Sequence, residues 1–262
     1  MPDTLDRASR KMDLAAGLLL LLWSALAPPA LAQAIAQAPA QPQPIAAADL
    51  MLRADTPELR FRWALPPEAT LEPALFSAMR AEGEASLASE QKAALNDEAE
   101  ARKAKFPFRQ YLWNQRWSAE AETPALLALS AKVSGYTGGA HGNAGFATSL
   151  FDRAAQARIA FADLFTDPKA AIDALTPGWC KALDAERAAR RAGQPNTMFS
   201  DCPPLAERTI TPMGDPIIYS LRVLVDPYIA GPWSEGVYEI AVDPAPALPF
   251  LKPAYRSAFA KP

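Results

Sequence analysis

From Leu71 to about Lys105 the chain runs through alanine, glutamate, lysine and arginine with no proline after Pro73, although the whole sequence holds 26 prolines. That run predicts one long helix. Leu71, Leu75, Met79 and Leu87 recur at multiples of four, a narrow apolar stripe on a charged rod. Gly83 weakens the helix at that point. A helix with one narrow stripe cannot build a core alone; it needs an apolar sheet face to lie on. Its charged side reads as a solvated face.

The sheet is legible around it. Leu59–Leu65, LRFRWAL, alternates apolar and basic residues as a strand does, and Pro66-Pro67 ends it. After Phe106-Pro107-Phe108 closes the helix, four segments follow at meander spacing: RQYLWNQRWSAE, ALLALSAKVSG, AGFATSLFD and RIAFADLF. Tyr111, Trp113 and Trp117 share one face of the first. That row reads as half of a core, with a sugar-stacking platform as the alternative. Thr123-Pro124 and RAAQA sit where hairpin connections belong.

Asp167-Pro168 has the form of an N-cap followed by proline at the first helical position, and Thr176-Pro177 repeats it. Two helices are expected there, the second running through Cys180 and Leu183 to a C-cap at Gly193. PIIYSLRVLV places Ile217, Tyr219, Leu221, Val223 and Val225 on one strand face, with Gly236–Val242 as its antiparallel partner. The tail packs Phe250, Leu251 and Phe259 on the body. The expected class is α+β: an antiparallel sheet, meander plus C-terminal hairpin, packed against one long helix and one or two shorter helices.

Residues 1–32 read as a secretory signal. Arg7, Arg10 and Lys11 precede the uncharged run Leu14–Ala27, and Ala30-Leu31-Ala32 has the small-x-small form of a cleavage site. As a helix that run spans about 21 Å, short of the roughly 30 Å of a bilayer core. An uncleaved inner-membrane anchor is the alternative; after cleavage no span is expected. No cysteine lies near the cleavage point to carry a lipid. Residues 33–48, rich in Ala, Gln and Pro, read as a disordered tether. Residues 49–262 form the α+β domain, either undivided or falling into subdomains at about 49–135 and 136–262. The expected location is periplasmic or secreted.

Composition narrows the chemistry. Net charge is −3 and no basic block runs along the chain, which argues against nucleic acid and an anionic membrane surface as partners. The two cysteines, Cys180 and Cys202, suggest a disulfide in an exported chain. The closed loop would add about 3 kcal/mol. With one histidine, His141, a multi-histidine metal centre is excluded, and no cofactor motif is present. There is no nucleophile elbow and no C-x-x-C pair. Asp226 and Glu235 bracket one loop and could form a glycosidase-like carboxylate pair, but strand ends commonly carry such residues.

Two loops remain as candidate sites. YTGGAHGN, Tyr136–Asn143, displays Tyr136 and His141, with Gly138, Gly139 and Gly142 supplying turn geometry. DPYIAGPWSE, Asp226–Glu235, displays Pro227, Tyr228 and Trp233, with Gly231 shaping the loop. Tyrosine and tryptophan on loops are frequent binding anchors. The plain alternative for His141 is a residue holding its own loop by hydrogen bonds to backbone.

YTGGAHGN followed by a strand, FD, a turn and FADLF resembles the outer domain of RsiV, the lysozyme-sensing anti-sigma factor, and the N-terminal half of the peptidoglycan deacetylase PdaC. VDPYIAGPWSEGVYEIAV and PFLKP also fit that pattern. The resemblance runs from about Asp49 to the C-terminus. It implies an extracytoplasmic α+β domain that binds without catalysing, with a lysozyme-like muramidase or peptidoglycan as ligand. The deacetylase's aspartate and histidine metal ligands have no counterpart here. Only thirteen residues precede Leu14, too few for a cytoplasmic sigma-binding segment. A structural cell-envelope protein is the second reading. A peptidoglycan-directed hydrolase using Asp226, Glu235 or His141 is the third.

Overall fold

The computed structural model describes residues 45–194 and 197–260. The signal segment 1–32 and the tether as far as residue 44 lie outside the described residues. The described residues belong to one compact unit.

Among the described residues nine strands form two sheets. The first has six: β1 (Met51–Asp55), β2 (Leu59–Ala64), β3 (Tyr111–Glu122), β4 (Leu126–Tyr136), β5 (Asn143–Asp152) and β6 (Ala157–Ile159), hydrogen-bonded in chain order. The second has three: β7 (Thr209–Met213), β8 (Ser220–Val225) and β9 (Tyr238–Val242), again in chain order. The long helix is α1 (Pro73–Ala104), and a second helix, α2 (Pro168–Arg190), precedes the small sheet. The α+β class and the β8–β9 pair stand as expected, and so does the meander, except that its fourth strand is only Ala157–Ile159 while Phe161–Leu164, expected to continue it, forms a 3₁₀ turn.

Further details differ from the sequence reading, which held no strand at Met51–Asp55. There are two sheets, and β2 pairs with β3 in parallel, because α1 is a crossover long enough to return the chain in the same direction. β7 was missed: Pro212 lies inside it, but β7 is an edge strand, where a missing N–H costs no ladder bond. Thr176-Pro177 does not start a new helix. α2 runs through Pro177, its buried stripe Ala171, Leu175, Trp179 and Leu183 holding both halves on one surface, while Thr176 Oγ1 donates to the Ile172 carbonyl at 2.8 Å. Finally, Ile217 and Tyr219 are exposed and Ile218 is buried, so the extended segment before β8 faces the other way. There Ile218 bridges to Phe259, and the Ile218 N–H donates to Ala258.

The large sheet is buried differently on its two faces. On one, α1 lays Leu75, Met79 and Gly83 against Phe61, Trp63, Trp117, Leu127, Leu129 and Phe151. Leu71 precedes the helix and is 57% exposed, so it is no part of the stripe. Gly83 belongs to that stripe: a Cβ there would stand 2.7 Å from Trp63 Cε2. The glycine that costs helix propensity admits the indole.

On the other face, Leu126, Ala128 and Leu150 join a core with the small sheet and α2. β7 is tied on by backbone bonds from Glu122 N–H to Gly214 and from Gly214 N–H to Glu120, at 3.0 and 2.9 Å. This cover is partial. β4 is buried from Leu126 to Ala131, then alternates between exposed and half-buried residues to Tyr136. The upper half of the large sheet is therefore open to solvent, and both candidate loops lie at that end.

Candidate functional site

β4 ends at Tyr136 and β5 begins at Asn143, paired by register with Gly135. The six residues between must reverse the chain. Gly138 does so at φ +87°, a conformation costly for other residues. Gly142 packs against the turn: a Cβ would meet the Gly135 carbonyl oxygen at 2.8 Å. Gly139 has open space on its Cβ side, its nearest such neighbour being the His141 carbonyl at 3.9 Å. Tyr136 is half-buried, and its hydroxyl accepts a hydrogen bond from Arg109 Nη1 at 3.0 Å. His141 is exposed, and its Nδ1–H donates to the Gly142 carbonyl at 2.8 Å.

The second loop links β8 to β9. Tyr228 adopts φ +69° and donates its N–H to the Gly231 carbonyl at 3.1 Å, closing a tight turn that leaves its ring 57% exposed. Pro227 is half-buried. Gly231 is buried where a Cβ would stand 2.9 Å from Tyr238 Oη, which itself donates to the Glu235 carboxylate. Trp233 opens a short 3₁₀ turn, Trp233–Glu235, and is 38% exposed.

The two loops meet. The His141 and Trp233 rings lie with centroids 4.6 Å apart at an interplanar angle of 35°. Beneath them runs a groove of about 510 Å³ lined by Arg60, Leu112, Tyr136, Gly142, Ala144 and Trp233. Two further hollows flank the octet. One of about 590 Å³ lies against Phe106, Phe108, Arg109, Gly138 and Gly139. One of about 320 Å³ lies against Glu90, Trp113, Phe146 and Asp226. Of the residues singled out by sequence, Tyr136, Gly142 and Trp233 share the central groove, and His141 is joined to it only by its ring contact with Trp233. Pro227 and Tyr228 do not line it.

The second loop is held from behind by α2. Arg191 grips the Glu235 carboxylate through Nε and Nη2 at 2.9 and 3.0 Å. Arg190 donates to the Glu235 and Val237 carbonyls and lies 3.8 Å over the Tyr238 ring. Arg187, 4% exposed, donates from Nε to the Ala230 carbonyl at 2.9 Å. The Arg191 hydrogen bonds hold the Glu235 carboxyl below its ordinary range; burial, then the bond to that carboxylate, pushes Tyr238 up. Glu235 is thus a fastener for the loop, and Asp226 stands exposed on the other strand end. Cys180 and Cys202 form the disulfide, Cα atoms 5.4 Å apart, pinning the segment after α2 onto that helix.

Sequence reasoning missed Leu112 and Arg60, which reach the groove only through strand register, and Arg109, which donates to the Tyr136 hydroxyl from outside the groove. It also missed the three arginines at the end of α2, Arg187, Arg190 and the C-cap Arg191, whose signal, ERAARRAG, reads as an ordinary charged helix end. Among the described residues no three His, Cys, Asp or Glu side chains are placed to hold a metal ion.

The family model for deacetylase PdaC matches residues 66–144, which covers α1, β3, β4 and the glycine octet. None of the curated proteins compared with the chain matches it. Among solved structures, a DUF3298 family protein from Pseudomonas aeruginosa PAO1 superposes with TM-score 0.51 at 14% identity, covering 81% of this chain and 96% of that one. A DUF3298 family member from Bacteroides fragilis gives 0.53 at 17% identity, covering 75% and 85%. Residues 66–144 are thus similar to the PdaC family model, and the chain has a fold like that of the two DUF3298 structures.

Proposed function

We propose that this chain is an exported, non-catalytic binding module for a cell-envelope macromolecule, a lysozyme-like muramidase or peptidoglycan. The observation that supports it most is the contact of His141 with Trp233. Two loops far apart in sequence put exposed aromatic rings together over one groove, and aromatic anchors beside a concavity are the usual form of a recognition site. The PdaC-like match over the first loop and the leader-like residues 1–32 favour an envelope ligand. The carboxylate best placed for chemistry, Glu235, is engaged by Arg191 and Tyr238, which favours binding over hydrolysis.

The test mixes purified residues 33–262 with a c-type lysozyme in a calorimeter, follows residual muramidase activity, and sediments the protein with insoluble peptidoglycan. Micromolar association with either, weakened by Trp233→Ala, supports the reading. No association with both removes it. A structural envelope role is the second reading, favoured by the bonds that His141 and Tyr228 make within their own loops. It requires Tyr136→Ala and Tyr228→Ala to lower the melting temperature while every ligand assay stays silent.

A further inference from the structure

The register of the large sheet assembles a charge pattern that the linear sequence scatters. Arg53 of β1 pairs with Arg62 of β2, which pairs with Asn114 of β3, which pairs with Ser134 of β4. The next row aligns Met51, Ala64, Arg116 and Lys132, and the row on the other side aligns Asp55, Arg60, Leu112 and Tyr136. Residues two apart along a strand share a face, so all three rows lie on one surface. It is the half-sheet that β7–β9 leave uncovered. Arg53, Arg60, Arg116 and Lys132 are exposed there, and Arg62 is half-buried.

Few carboxylates answer these five cations. Asp55 lies 2.9 Å from Arg62 and 3.7 Å from Arg60, and Lys132 reaches Glu239 of β9 at 2.6 Å. Arg53 bonds only the Met51 sulfur, and Arg116 makes no hydrogen bond or ion pair among the described residues. The surface is also concave and continuous with the rim. The central groove beside Trp233 includes Arg62 and Asn114 in its floor, and a hollow of about 330 Å³ continues from those two residues to Arg53 and Arg116. With strands about 4.8 Å apart, the trough from β5 to β1 is about 19 Å across.

Resting on the binding reading above, we infer that this trough takes an acidic glycan strand, its carboxylates on Arg53 and Arg116 and its rings against Trp233 and Tyr136. Charge complementarity fixes the sign of the ligand. The sheet presents side chains here rather than a free backbone edge, so a peptide cannot add as a strand on this face. Asn114 and Ser134, neutral donors and acceptors between the cations, suit hydroxyl groups.

The experiment titrates residues 33–262 with polygalacturonate, dextran and poly-glutamate at 20 and 150 mM salt. Polygalacturonate is expected to bind at least tenfold tighter than dextran and to weaken with salt. Arg53→Glu/Arg116→Glu should lower that affinity at least tenfold and flatten its salt dependence, and Trp233→Ala should lower it several-fold. Both arginines are exposed, and an unchanged melting temperature confirms that the double variant folds. Absence of polygalacturonate binding, or equal binding by the double variant, overturns the inference. Equal affinity for poly-glutamate also overturns it, by assigning the face to acidic peptides. If peptidoglycan sediments the protein while polygalacturonate fails, only this inference falls. If lysozyme, peptidoglycan and polygalacturonate all fail, the binding reading falls too.

Discussion

The ring centroids of His141 and Trp233 lie 4.6 Å apart, joining two loops on different sheets at the wall that Trp233 gives the central groove. Each loop carries its own backbone bonds, from His141 to Gly142 and from Tyr228 to Gly231. The ring contact therefore sets where the loops stand relative to each other rather than whether they form. Exposed aromatic pairs contribute about 1 kcal/mol or less. His141→Ala is expected to shift urea-unfolding stability by under about 1 kcal/mol and to change indole emission. In a Trp233→Phe background the same change should leave emission unaltered. An emission change that persists there would place the effect on another tryptophan.

Behind that wall, Arg191 and Glu235 are a pair with little solvent access, their side chains 11% and 16% exposed. Removing one charge leaves the other poorly hydrated, and a hydrogen bond to a charged group is worth about 2 kcal/mol. Glu235→Gln is expected to cost about that much in urea unfolding. The pair also predicts a pH dependence. Arg191 depresses the folded-state value of Glu235, so its contribution is complete above the ordinary 4.5 and is lost as pH falls through the lower folded value. Wild type should lose stability below pH 4.5 more steeply than the Gln variant. Parallel acid profiles would show that Glu235 does not carry the dependence.

Local signals in the sequence resolved local structure. The proline-free run gave α1, period-two rows gave the meander, and Asp167 caps α2 as its spacing predicts, accepting from Ala170 N–H at 3.0 Å. The failures share a physical cause, which is that tertiary context overrode a local rule. Pro177 is carried inside a helix by a buried stripe on both sides of it, and Pro212 is tolerated on an edge. At the candidate site both loops were legible from glycine and aromatic content, but their meeting was not. It depends on where the small sheet docks, which Gly214 and Glu122 decide by backbone bonds without side-chain signature. The basic face was hidden for a related reason: Arg53, Arg62, Arg116 and Lys132 become neighbours only through register.

Gly83 sets helix propensity against packing. Alanine would raise intrinsic helix propensity by about 1 kcal/mol. Its Cβ would stand 2.7 Å from Trp63 Cε2 and 2.9 Å from a Leu52 methyl, both in the core beneath α1. Overpacking of that kind costs about 1–3 kcal/mol. Gly83→Ala is expected to be destabilising by up to about 2 kcal/mol net. A stabilised Gly83→Ala protein in thermal and urea unfolding would mean that Trp63 yields at no cost.

The Cys180–Cys202 disulfide closes a 22-residue separation from α2 to the segment that follows it. Removing such a loop closure costs about 3 kcal/mol. The reduced protein has a second weakness. Arg187 Nη2 donates to the Asp201 carbonyl at 3.0 Å while its Nε holds the Ala230 carbonyl, so the segment beside Cys202 steadies the arginine that anchors the Trp233 loop. Reduction, or Cys180→Ala/Cys202→Ala, should therefore lower unfolding free energy by about 3 kcal/mol. It should also increase hydrogen exchange of the amides from 228 to 236 before global unfolding. Gly83→Ala, on the far side of the large sheet, should leave those amides as protected as in wild type relative to its own stability. Equal loosening of this loop by both changes would show that the disulfide stabilises the molecule globally and does not position the rim.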